Sequence, residues 1–194
     1  WVLERKNSLK LFGPRGLERM ANKITEAYLE DIDYRINGSQ PSNLDGYRTE
    51  VKEISEGLIF QDGNIKVEAF LNNHGDFENS FGFIFTTDDK KIVFSGDTAY
   101  SEKLISVAKD ADILIHEVYS EKGFKEKSSD WQKYHKAHHT SSIDVGKIAK
   151  LSQPKKLVLS HILFWGKSKE SILEEVKLNF KGNILVAEDL MIVD

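Results

Sequence analysis

Several residues able to bind a cation or move a proton stand at the ends of apolar runs in this chain. Asp97 follows Ser95-Gly96 after the run Lys91–Phe94. A carboxylate in that place can bridge two cations, because both of its oxygens carry free lone pairs, and Gly96 beside it permits close backbone approach. His161 follows Leu159-Ser160, where a neutral imidazole can leave the end of a strand as a metal ligand. His74 occupies the same kind of position after Leu71-Asn72-Asn73. Glu117 closes Ile115-His116-Glu117. If it holds the ring of His139, the two make a proton donor, since a carboxylate orients an imidazole and favours its charged form.

Taken singly, each residue has a plainer reading. Asp97 fits a cap for the helix that begins near Glu102. His161 fits a hydrogen-bonded structural histidine, and His74 a surface-loop residue. His139 lies just outside a helix start, where Ser141 and Asp144 match a capping box. His135 stands four residues before His139, the spacing of a helical metal pair. No apolar helix is read there, so His135 and His138 are placed in a solvated loop and not among the ligands.

The elements that must position these residues begin with a strand around Leu9–Phe12 and a turn at Gly13-Pro14-Arg15-Gly16. An amphipathic helix follows, with Leu17, Met20, Ala21, Ile24, Ala27 and Tyr28 on one stripe. Asn37 to Asn43 reads as loop. Strands are expected at Val51–Ile54, Ile65–Leu71, Phe81–Phe85 and Lys91–Phe94, with a polar turn at Asp88-Asp89. Helix and strand then alternate: Glu102–Lys109 into Ile113–Ile115, Ile143–Leu151 into Leu157–Leu159, and Ile172–Asn179 into Ile184–Val186. A last strand is read at Met191–Val193. A strand meander followed by this alternation predicts layered α/β packing.

The 194 residues suffice for one domain with a sizeable core, and 40% hydrophobic with 30% charged residues is an ordinary globular balance. The net charge of −4 argues against a broad nucleic-acid surface. No apolar run approaches the roughly 20 residues that span a bilayer, so no membrane partner is expected; no signal-peptide pattern is present, but in a chain that opens at Trp1 this leaves the compartment unknown, with a soluble cytoplasmic chain favoured. Without cysteine, disulfides and thiolate ligands are excluded. A metal site here must use histidine and carboxylate, the donor set of catalytic sites.

In their order along the chain, these motifs resemble the metallo-β-lactamase superfamily, in particular its ribonuclease Z-like and arylsulfatase-like branch. The resemblance rests on Ser95-Gly96-Asp97-Thr98, Ala111-Asp112, Ile115-His116-Glu117, His139-Thr140 and Leu159-Ser160-His161, and runs from about Ile65 onward. It implies an α/β fold that forms the C-terminal portion of an αββα sandwich, with residues 1–194 as a single, N-terminally truncated domain. It further implies a hydrolase with two divalent ions, zinc or else manganese, that activate a water for attack on an ester. Carried over residue by residue, it makes His74 a ligand of the first metal, Asp97 the bridge and His161 a ligand of the second. His139 becomes the donor to the leaving group, with Glu117 as its orienting partner.

Two departures shape the expected substrate and activity. The His-x-His-x-Asp-His motif of the family is absent, and no histidine precedes His74. The chain as given is therefore expected to bind metal weakly and to be inactive, whereas its parent is a hydrolase. Transfer-RNA-processing members also carry a long arm between the residues matching His74 and Asp97, for which the 23 positions here leave no room. The expected substrate is a small phosphodiester or sulfate ester, with nucleic acid disfavoured. The rival readings are a tRNA 3′-processing endonuclease and a non-catalytic half-domain that associates with another chain or forms a homodimer.

Overall fold

The computed structural model describes residues 4–40 and 42–193. The chain divides into two compact units, Trp1–Ser55 and Glu56–Asp194. In the first, strands β1 (Leu9–Gly13) and β2 (Thr49–Glu53) pair in parallel, with Leu9 opposite Thr49. Parallel neighbours need a long crossover, and helices α1 (Leu17–Ala27) and α2 (Leu29–Asn37) supply it. Gly16 at the start of α1 has no side chain to cap it. The Glu53 carboxylate accepts from the Gly16 amide at 2.6 Å instead. The apolar stripe read on α1 is only partly covered: Ala21 is buried, but Met20, Ile24 and Tyr28 are more than half exposed. A two-stranded sheet is too narrow to cover it.

The second unit is built on a seven-stranded sheet in sequential order. Strands β3 (Gly57–Gln61), β4 (Lys66–Leu71), β5 (Phe81–Thr86) and β6 (Lys91–Phe94) run antiparallel. Strands β7 (Ile113–Tyr119), β8 (Lys156–Leu163) and β9 (Asn183–Val186) then join parallel to β6. The crossovers carry α3 (Glu102–Val107), the run α4 (Glu121–Lys125), α5 (Ser129–His138) and α6 (Ser142–Ser152), and α7 (Lys169–Lys177). Val93, Leu114, Leu157 and Leu159 of the sheet meet Leu104, Val145, Ile148, Ile172 and Val176 of the helices in one core. Complete burial of a leucine such as Leu114 contributes about 2 kcal/mol. The fold class is α/β, as expected.

Strand order explains where the polar residues gather. Because β4 runs parallel to β6, the C-terminal ends of β4, β6, β7 and β8 all open on one edge of the sheet. His74, Asp97, Glu117 and His161 stand at that edge, where open α/β sheets place their sites.

The structure differs from the sequence reading in several elements. Strands β7 and β8 run four residues past the apolar cores read as Ile113–Ile115 and Leu157–Leu159, so His116, Glu117 and His161 lie within strands. Strand β3 and helices α2, α4 and α5 were not expected. Met191–Val193 is not a strand; it follows a turn in which the Met191 amide donates to the Glu188 carbonyl at 3.1 Å. Among the described residues, no helix is long and apolar enough to cross a membrane.

By strand alternation His116 shares the helix-covered face of Leu114 and Val118, and it is fully buried. Its Nδ1–H donates to the Glu117 carbonyl at 2.6 Å, and Nε2 has no partner among the described residues. Burial lowers its pKa to about 4. Between that value and the ordinary histidine range near 6.5, the unfolded chain binds a proton that the folded chain refuses. This group's contribution to stability is therefore full at neutral pH and is lost as the pH falls through that window. Urea unfolding at pH 7 and pH 4.5 should show a drop assignable to His116 of about 2–3 kcal/mol. His116→Asn, which keeps a donor near the Nδ1 position, should lose that part of the acid sensitivity. An unchanged acid limb in the variant would refute the assignment.

Candidate metal centre

The segment after β6 turns sharply at Gly96, whose φ of 61° lies in the left-handed region. A Cβ there would stand 2.6 Å from the Phe81 carbonyl oxygen, so the turn is open only to glycine. It delivers Asp97, half-exposed, to the sheet edge. Asp97 is not the cap of α3. That role belongs to Ser101, whose Oγ accepts from the Leu104 amide at 3.2 Å.

His161 reaches the same edge through a β-bulge. Glu117 pairs with Ser160 and Val118 with Ile162, leaving His161 as the extra residue of β8, with φ at 42°. A bulge bends its strand and re-aims the inserted side chain. Here His161 Nε2 comes 3.5 Å from Asp97 Oδ2.

His139 ends helix α5, and its Nδ1 lies 3.2 Å from Glu117 Oε1. The same carboxylate oxygen accepts from the Thr98 and Thr140 amides, each at 3.1 Å. Glu117 is almost wholly buried, and Oε2 has no partner among the described residues. Burial pushes its carboxyl above the ordinary range, and the hydrogen bond from His139 offsets part of that. For His139, burial opposes the charged ring. The hydrogen bond and charge of Glu117, with the charge of Asp97, outweigh burial and hold its pKa above the ordinary value. With Nδ1 turned to Glu117, Nε2 is the nitrogen left for an ion or a proton.

Asp97, His139 and His161 each offer a ligand atom, and these atoms all lie within 4.8 Å of one another. That donor set suits a divalent ion bound by nitrogen and oxygen. His74, expected beside Asp97, falls outside this group, although its ring centroid is 5.4 Å from that of His139. Its Nδ1–H donates to the His138 carbonyl at 2.7 Å, which leaves Nε2 as its free lone pair. Asn73, next to it, is tied to the Asp97 segment through the Ala99 amide at 2.7 Å.

The sequence reading missed α5. His135 and His138 lie in this helix and not in a solvated loop, and His138 is buried. Its ring packs over Gly75 and stacks on Tyr134 at 4.1 Å. Trp131, Tyr134, His135 and His138 form a stripe at helical spacing, which could have signalled the element had rings been counted as apolar. Ser141 caps α6 by accepting from the Asp144 amide at 3.1 Å, as the capping pattern predicted, while the Asp144 carboxylate pairs with Lys147. The apolar run after His161 divides: Ile162 and Phe164 pack on the core, and Trp165 lies against Tyr119 and His135.

Comparison with known proteins gives this geometry a context. The family model described as a β-lactamase superfamily domain matches residues 10–162. A ribonuclease Z of Archaeoglobus fulgidus is 34% identical over 103 residues, a match covering 53% of this chain and 31% of that protein. Among solved structures, the metallo-β-lactamase fold protein YhfI of Bacillus subtilis aligns with a TM-score of 0.67 at 18% identity, covering 93% of this chain and 63% of that one. The human short-form tRNase Z aligns with a TM-score of 0.60 at 20% identity, covering 100% of this chain and 70% of that one. The chain thus spans less than a third of the archaeal ribonuclease and less than two thirds of YhfI.

The Gly96 turn can be tested directly. Gly96→Ala should destabilise the protein by about 2–4 kcal/mol through left-handed strain and the Phe81 carbonyl clash. Gly63→Ala, where an added Cβ meets open space, should cost well under 1 kcal/mol by comparison. Equal chemical-denaturation midpoints for the two variants would show that the turn is not constrained in this way.

Proposed function

The chain belongs to the β-lactamase superfamily, and from that premise we propose that it carries part of the active site of a metal-dependent phosphodiester hydrolase. The observation that supports this most is the convergence of Asp97, His139 and His161, with donor atoms within 4.8 Å, beside a buried carboxylate that orients one of the histidines. In this reading Asp97, His161 and His74 would hold two divalent ions, with zinc as the first candidate metal. Bound there, the ions supply an activated water and stabilise charge developing on the ester.

The chain's own residues do the rest. Glu117 holds His139 with Nδ1 engaged and favours its protonated form, so that Nε2 presents a proton to the leaving oxygen. The Thr98 and Thr140 amides keep Glu117 in place. The likeness to ribonuclease Z favours a phosphodiester over a sulfate ester. It also favours a second reading, an RNA 3′-processing endonuclease. Against an RNA-binding arm in the expected place, β5 and β6 are joined by a tight hairpin whose Thr87 amide donates to the Lys90 carbonyl at 2.9 Å.

Hydrolysis of an aryl phosphodiester and of an aryl sulfate by the full natural protein tests this reading. The phosphodiester should be preferred, Asp97→Asn should abolish turnover, and His139→Ala should slow it by about 10²–10⁴-fold. Preference for the sulfate, or full activity in Asp97→Asn, would overturn it. The donors brought together among the described residues are too few to complete two tetrahedral shells. Zinc titration of residues 1–194, followed through histidine resonances, should therefore show loose binding that Asp97→Asn weakens further. Two tightly held ions per chain would refute that expectation.

A further inference from the structure

Beside the candidate metal centre lies a group of aromatic residues that the proposed chemistry does not use. His135, one helical turn before His139, has its ring centroid 5.9 Å from that of His139. Trp131 stacks on His135 at 5.5 Å with the ring planes 23° apart, and Trp165 lies against it at 4.6 Å. His135 Nδ1 is buried and makes no hydrogen bond among the described residues, so packing between the rings holds it. Trp131 nevertheless keeps 56% of its surface open to solvent. Lys127 Nζ stands 5.0 Å over the Trp165 ring.

The charge pattern around this group is uneven. Lys122, Lys125 and Lys167 are each paired with a carboxylate, Glu174, Glu121 and Glu126 respectively. Among the described residues, Lys127 has no carboxylate partner. A patch with an open indole face, a second indole and an unneutralised ammonium attracts ligands that combine a planar ring with an anionic group. Packing against Tyr119, His135 and Lys127 accounts for Trp165, but leaves the exposed indole of Trp131 without a role.

We infer that Trp131, backed by His135 and Trp165 and flanked by Lys127, forms a subsite that stacks a planar ring of the ester substrate on the helix that leads to His139. The ring sits on the open face of Trp131, and Lys127, held over Trp165, faces an anionic group next to the ring. This inference rests on the phosphodiester reading for what lies at the metal centre, but the subsite binds a ring whether or not turnover occurs. The ring can be a nucleobase or a simple aryl group, and the two are separable in one experiment.

The test follows the indole N–H resonances of the full natural protein, assigned with Trp131→Phe and Trp165→Phe, during titration with three probes: adenosine 5′-monophosphate, phenyl phosphate and the ringless ribose 5-phosphate. The Trp131 and Trp165 signals should move with a ring-bearing probe and not with ribose 5-phosphate. Tighter binding of adenosine monophosphate than of phenyl phosphate assigns a nucleobase, and the reverse assigns an aryl group. Trp131→Ala should weaken the ring-bearing probe by at least about fivefold and leave ribose 5-phosphate unchanged. The subsite is overturned if neither indole responds, if all three probes act alike, or if Trp131→Ala has no effect. Hydrolysis of a dialkyl phosphodiester, which has no ring, reports separately on the metal centre, so failure there with intact ring binding counts against the hydrolase reading alone.

Discussion

Glu117 carries an ionisable carboxylate into a place almost sealed from water, and the arrangement of the site depends on how that group is satisfied. Leaving such a charge without partners would cost several kcal/mol, so its donors cannot move independently of it. They come from three directions: the Thr98 amide after β6, the Thr140 amide before α6, and His139 Nδ1 at the end of α5. One oxygen atom therefore fastens the loop bearing Asp97 to the histidine-bearing helix junction. Burial pushes the Glu117 carboxyl up, and its other oxygen has no partner among the described residues.

Around that fastening, sheet geometry does the placing. Parallel extension from β6 to β8 stacks three strand ends on one edge, and β4 adds His74 because it runs in the same direction. Two local irregularities then set the aim of side chains. The left-handed turn at Gly96 bends the chain under Asp97, and the bulge in β8 turns out His161. A regular strand would have kept residue 161 in the two-residue alternation, a different direction from the one observed. Both irregularities sit beside candidate ligands, where bulges and positive φ values tend to concentrate.

Helix α5 shows how a polar-looking segment becomes structure. It has no leucine, isoleucine or valine, yet His138 is buried against Gly75 and Tyr134, and Trp131 and His135 stack on one another. Rings supply contact area while keeping polar edges, so the helix covers the site without an aliphatic stripe. The same property leaves Trp131 open on its outer face, two helical turns before His139.

Much of the second unit was legible in the chain itself. Apolar runs at Lys91–Phe94, Ile113–Ile115 and Leu157–Leu159 marked the central strands, because burial on both faces of a sheet selects unbroken apolar stretches. The residues at their ends, Asp97, Glu117 and His161, each allowed a plain structural reading and stood out only through the order of their motifs along the chain. The α1 stripe misled, since amphipathic spacing says which face is apolar but not whether a neighbour covers it. Only the tertiary structure decided which donors meet. Glu117 and His139 are 22 positions apart, Asp97 and His161 come together through a bulge that no local pattern announces, and His74 stops short of their cluster. Side-chain type and strand periodicity are local properties written residue by residue, whereas the meeting of ligands depends on strand order and register, which arise from contacts between segments far apart in the chain.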